Sequence, residues 1–150
     1  MKTYDFARIQ ARPFPTAAEL KNPYIYGRVR YVLNVSDVGY PEEIEKRMDE
    51  LGIQAYHFPL LETGKDMGLE NILKAVRILE KADSEGAPAV VHCGFGNNRS
   101  RVVVECYHYR KFGFHLEDGY KGAFNHLAYN CSAGLLAPLA QVESLIRALP

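Results

Sequence analysis

The sequence predicts an α/β fold: a single domain with a mainly parallel central sheet flanked by helices. Three observations predict it. Strand-like and helix-like segments alternate through the first two-thirds of the chain, the strand-like ones are short and rich in β-branched and aromatic residues, and the segments between them repeat apolar residues at helical spacing. With 150 residues, 47% of them hydrophobic and 24% charged, the chain has the size and composition of one domain. It should hide about two-thirds of its unfolded surface without a disulfide or metal staple. No repeat, low-complexity tract or linker divides it, so residues 1–150 read as one unit.

From Arg28 to Val35, RVRYVLNV reads as a strand, and the SDVGY that follows has turn chemistry. PEEIEKRMDELG reads as a short surface helix. Pro41 suits its first position, acids fill the first turn, Ile44, Met48 and Leu51 share a face, and Gly52 stops it. IQAYHF (53–58) is a second strand, and PLLETGKDMG after it is a charged loop of the kind that commonly carries function. Leu69, Ile72, Leu73, Val76 and Leu79 recur at helical spacing, which predicts an amphipathic helix over 68–81. The turn DSEGAP then feeds a buried strand, AVVHC (89–93). Beyond the loop after Cys93, residues 101–111 read as a helix, with two more at about 116–128 and 136–149. Pro138 fits only in the first turn of the last one. The first twenty or so residues suit an edge hairpin. In such a fold, ligand sites lie at the carboxyl ends of the strands.

Lysine plus arginine (18) balance aspartate plus glutamate (18), which argues against a nucleic-acid surface or a polybasic membrane anchor as the main business of the chain. A local anion site is compatible with that balance. The cysteines, Cys93, Cys106 and Cys131, are odd in number and lack CxxC spacing, so they support neither a disulfide framework nor a four-ligand zinc site. No N-terminal apolar run has the length of a secretory signal, and no segment reaches the ~18 to 20 apolar residues of a membrane helix. Together these features suit a reducing, cytoplasmic setting. Cys106 and Cys131 read as ordinary buried thiols.

The informative stretch is Val90-Val91-His92-Cys93-Gly94-Phe95-Gly96-Asn97-Asn98-Arg99-Ser100, in which a buried strand ends at a cysteine, five residues intervene, and an arginine and a serine open a helix. Backbone amides between Cys93 and Arg99 can curl into a concave nest, and the helix adds its N-terminal amides and positive dipole end. Such a cradle fits a tetrahedral dianion: phosphate, sulfate or vanadate. Gly94 and Gly96 permit positive φ angles and close backbone approach. Arg99 supplies a planar fork for two phosphate oxygens, which lysine cannot reproduce. The same positive field acts on the Cys93 thiol, since helix N-termini and nearby cations lower a cysteine pKa from about 8.5 to ~3.5–7.5. Ser100 can donate to the thiolate, helping it ionise and later leave. His92 suits bonding to loop carbonyls and holding the cradle's shape better than a catalytic role. Asn97 and Asn98 read as turn residues tolerant of left-handed geometry, and Phe95 suits either stacking on an aromatic substrate or filling the core beneath the loop.

HCGFGNNRS resembles the phosphate-binding loop of the cysteine-dependent protein tyrosine phosphatases, with Cys93, Gly96, Arg99 and Ser100 at the matching places. The small size resembles the dual-specificity branch. YVLNVSD also resembles that family's early strand and GLLAPLAQVESLIRAL its closing helix, so the likeness covers roughly residues 25 to 148. It implies the family's fold and a two-step mechanism through a cysteinyl-phosphate, with no metal or cofactor. Low-molecular-weight phosphatases and arsenate reductases share the C-x5-R spacing but carry it near the N-terminus. Ser100 and the long helical tail disfavour a rhodanese-like enzyme.

The family's proton donor is an aspartate on a loop roughly thirty residues before the cysteine. Glu62, 31 residues upstream of Cys93, stands at that place, and Asp66 is the nearby alternative. Both also fit the plainer role of solvated loop charges. The loop GFGNN adds no lysine, histidine or second arginine, which favours a monophosphate over a polyphosphorylated substrate. The expected partner is therefore a phosphorylated protein, with phosphotyrosine first and phosphoserine or phosphothreonine next, or a small phosphomonoester. The alternatives are the same chemistry on a lipid, a sugar phosphate or an RNA 5′ end, and a phosphate-binding module of low turnover. Iodoacetate should alkylate Cys93 at a pH well below that needed for a free thiol, and phosphate should protect it competitively. Equal labelling of all three cysteines at pH 6 would contradict the electrostatic activation of Cys93.

Overall fold

The computed structural model of the chain describes residues 8–60, 69–94, 99–112 and 147–148. Strands β1 (Ile9–Arg12), β2 (Tyr31–Asn34), β3 (Gln54–His57) and β4 (Ala89–His92) form one sheet in the order β1-β4-β2-β3, and every neighbouring pair is parallel. All four residues of β2 and of β4 are buried, the pattern of parallel strands covered on both faces.

Alternation along the strands sorts side chains into two cores. Tyr31, Leu33, Ala89, Val91 and Cys93 belong to one, with helices α4 (Leu69–Ser84) and α5 (Arg99–Phe112). Val32 and Val90 belong to the other, with α1 (Ala17–Leu20), α2 (Pro23–Tyr26) and α3 (Glu42–Glu50). Helix α5 is buried from Val102 through Tyr109, including Cys106, so it is a central helix. The last residues of the four strands are in register: Arg12 beside His92, His92 beside Asn34, and Asn34 beside His57. Where the apolar rows of the sheet stop, a polar row begins.

The fold class and its three principal strands are as the sequence predicts. The edge hairpin is not: β1 is a single strand parallel to β4, followed by two short helices. Pro13 and Pro15 explain this, because neither can donate a ladder hydrogen bond in a returning strand. The chain turns instead into α1, capped by Thr16, whose hydroxyl accepts from the Glu19 N–H at 3.1 Å while the Glu19 carboxylate accepts from the Thr16 N–H at 3.2 Å. Pro41 is the N-cap of α3 rather than its first helical residue. Gly52, at φ +72°, ends that helix, with its N–H on Asp49 O and the Ile53 N–H on Met48 O, both at 3.0 Å. Helix α4 runs to Ser84 and α5 starts at Arg99, each longer than the periodicity predicts. The helices predicted over 116–128 and 136–149, and Cys131, lie outside the described residues.

Leu33 is fully buried in the central strand. Leu33→Ala should lower unfolding free energy by about 2–5 kcal/mol, read from urea midpoints. Val38→Ala, at a 59% exposed position, should change it by less than ~0.5 kcal/mol.

Candidate active site

Strand β4 ends at His92 and delivers Cys93 to the carboxyl edge of the sheet, while α5 begins at Arg99 and returns beside it. The crossover brings the Cys93 Sγ to 3.4 Å from the Ser100 Oγ. Both residues are buried, Cys93 at 3% exposure and Ser100 at 0%. A hydroxyl at that distance can stabilise a thiolate, and the first turn of a fourteen-residue helix adds its dipole to the same spot.

Arg99 is buried beside them. Its Nη1 donates to the Leu60 carbonyl at 3.1 Å and faces the Asp37 carboxylate at 3.4 Å. Leu60 is itself anchored, its N–H bonded to Val35 O at 3.0 Å, so the backbone that holds the guanidinium passes two residues before Glu62. The structure thus brings Cys93, Arg99 and Ser100 together. Glu62 and Asp66 lie outside the described residues, as do Phe95, Gly96, Asn97 and Asn98.

Gly94 departs from expectation. Its φ is not positive, so left-handed geometry does not require glycine at that position, and a Cβ there would meet no atom of the described residues within 4 Å. His92 has the Tyr40 hydroxyl and the Cys93 backbone as polar neighbours. It is fully buried, and its Nε2 lies 2.6 Å from the Tyr40 hydroxyl. Burial holds its imidazole down at about 4, helped by His57 and opposed by the Cys93 backbone, so it is neutral at pH 7.

Asp37 and Tyr40 are site residues that the sequence showed only as part of a turn. The loop carrying Asp37 is braced by Asn34, fully buried at the end of β2. Its Nδ2 donates to Val38 O at 2.7 Å, and its Oδ1 accepts from the N–H and Oγ of Ser36 at 2.9 and 2.6 Å. His57 Nε2 donates to Ser36 O at 2.8 Å from β3. Asparagine before a serine-bearing turn was the available signal, since such residues bond their own following backbone.

Between pH 6.5 and about 4, an unfolded histidine takes up a proton that folded His92 refuses, so acidification favours unfolding. The contribution is full above pH 6.5 and falls by up to ~1.4 kcal/mol per pH unit below it. His92→Gln should therefore flatten the decline of the urea midpoint between pH 6.5 and 4.5. An equal slope in both proteins would contradict a neutral buried imidazole.

No family model matches the chain, and no curated protein matches it in sequence. Solved structures do match. PTPMT1 aligns at TM-score 0.66 and 18% identity, covering 95% of this chain and 93% of its own. A mutant form of Tk-PTP aligns at 0.64 and 18%, covering 97% and 93%. The catalytic core of the PP-IP phosphatase Siw14 from S. cerevisiae aligns at 0.61 and 17%, covering 95% and 81%. All three are cysteine-based members of the protein tyrosine phosphatase superfamily, and their fold is the fold of this chain.

Proposed function

We propose that the chain is a phosphoric monoester hydrolase of the protein-tyrosine or dual-specificity type, a single catalytic domain acting through Cys93. The observation that carries this reading is the Cys93 Sγ held 3.4 Å from Ser100 Oγ at the opening of α5, with the buried Arg99 beside it. The likeness of fold to phosphatases supports it.

In the first step the Cys93 thiolate attacks phosphorus in line. The Sγ–P bond forms as the bond to the leaving oxygen breaks, and that oxygen departs with the electron pair and takes a proton from Glu62. Backbone amides and the Arg99 fork hold the equatorial oxygens, whose charge they meet best at the trigonal stage. In the second step water attacks the cysteinyl-phosphate and gives its proton to Glu62. The Sγ–P bond breaks, and Ser100 donates to the returning thiolate. The site calls for no metal.

A protein monophosphate is the favoured substrate. Besides the absence of extra cations in GFGNN, the Asp37 carboxylate next to Arg99 places negative charge at the rim, which disfavours substrates bearing several phosphates. A second reading, the same chemistry on a non-protein phosphate, is favoured by the likeness to PTPMT1, solved in complex with PI(5)P, and to a PP-IP phosphatase. A catalytic thiol and a second buried cysteine, Cys106, suit a reducing cytoplasmic setting.

Cys93→Ser should abolish hydrolysis of para-nitrophenyl phosphate by more than about a thousandfold while keeping vanadate binding. Near-normal activity would overturn the mechanism. A panel of phosphotyrosine and phosphoserine peptides, PI(5)P vesicles and inositol pyrophosphate decides the substrate class: turnover confined to the last two would replace the protein substrate by the second reading. Glu62→Gln should lower phosphotyrosine turnover by about one to two decades, and less on para-nitrophenyl phosphate. A larger, leaving-group-dependent loss in Asp66→Asn would move the acid to Asp66.

A further inference from the structure

Cys93 stands between two residues that are both fastened to Phe14. The Phe14 N–H donates to the Gly94 carbonyl at 3.1 Å. Its ring meets the His92 imidazole edge-on, with centroids 4.8 Å apart and planes at 74°. The same ring lies 5.5 Å from that of Tyr40, and Tyr40 lies 5.4 Å from His92, to which its hydroxyl is bonded at 2.6 Å. Three rings thus pack mutually behind the nucleophile.

The segment carrying Phe14 is stiff. Pro13 has a fixed φ, and Pro15 confines Phe14 to extended geometry. Before them β1 pairs with β4 along its whole length, and after them Thr16 caps α1. A stiff clasp on both neighbours of Cys93 limits how far its Sγ can move relative to Ser100 and Arg99, and misplacement by ~1 Å costs about a hundredfold in rate.

We infer that Phe14 is a positioning residue for the nucleophile, which together with Tyr40 holds the backbone on both sides of Cys93 and makes the N-terminal segment part of the catalytic apparatus. This rests on the phosphatase reading for its kinetic consequences. The placement of the thiol can be measured without turnover.

Phe14→Ala should lower kcat on para-nitrophenyl phosphate by about ten- to a hundredfold with KM changed less than about threefold, the split expected when alignment is lost and binding is not. Carboxymethylation of Cys93 by iodoacetate at pH 6 should slow by at least about threefold. Phe14→Tyr, which keeps the ring, should regain most of both losses. Folded Phe14→Ala with unaltered kcat and unaltered carboxymethylation would overturn the inference, as would a loss that Phe14→Tyr does not rescue. Should Phe14→Ala fail to fold, Tyr40→Phe removes only the hydroxyl on His92. It should lower kcat and slow carboxymethylation by about three- to tenfold, and no change in either would overturn the inference. Absence of hydrolysis by the unaltered protein would sink the phosphatase reading instead. The carboxymethylation rates would then decide the role of Phe14 alone, slowing in Phe14→Ala supporting it and an unchanged rate overturning it.

Discussion

A guanidinium taken out of water is the constraint on which the site depends. Arg99 keeps 8% of its exposure, and a cation so buried is tolerated only where acceptors meet it. Two loops are shaped to supply them: the turn after β2 brings Asp37, and the backbone after β3 brings the Leu60 carbonyl. The turn after β2 in turn needs Asn34 and His57 to hold its shape. The carboxyl ends of β2 and β3 are therefore organised around one side chain of α5. Arg99 sits where that helix presents its positive end, and among the described residues the carboxylate facing it is the exposed Asp37.

Much of the fold was legible because its signals are local. RVRYVLNV, IQAYHF and AVVHC are compact apolar runs, and Leu69 to Leu79 repeat at helical spacing, so three of the strands and the helix before the last of them could be read from the sequence. The stretch from Cys93 to Ser100 was legible for the same reason. Cys93, Arg99 and Ser100 lie within eight consecutive residues, and the end of β4 and the start of α5 bring Cys93 and Ser100 together.

What the sequence hid depends on contacts across the chain. Asp37 is 62 residues from Arg99, and Tyr40 is 52 from His92. Nothing in SDVGY distinguishes an arginine partner from a solvated turn. The N-terminal segment was misread because RPFPT has turn chemistry of its own, and only β4 explains why the strand before it runs parallel at an edge. At Gly94 an expectation based on conformational freedom failed, since the backbone there stays out of the left-handed region.

The polar row formed by Arg12, His92, Asn34 and His57 bears on how the sheet is assembled. Every member has a partner available only at its own position: Glu19 for Arg12, Tyr40 for His92, Ser36 for Asn34 and for the imidazole of His57. A strand that paired one residue out of step would exchange its two faces and carry a polar terminus against the α4 and α5 core, stranding it from its acceptor or donor. The row therefore adds an energetic penalty to any strand paired out of register. Because the residue following the row's His92 is Cys93, correct alignment of the strands and correct delivery of the thiol are one event.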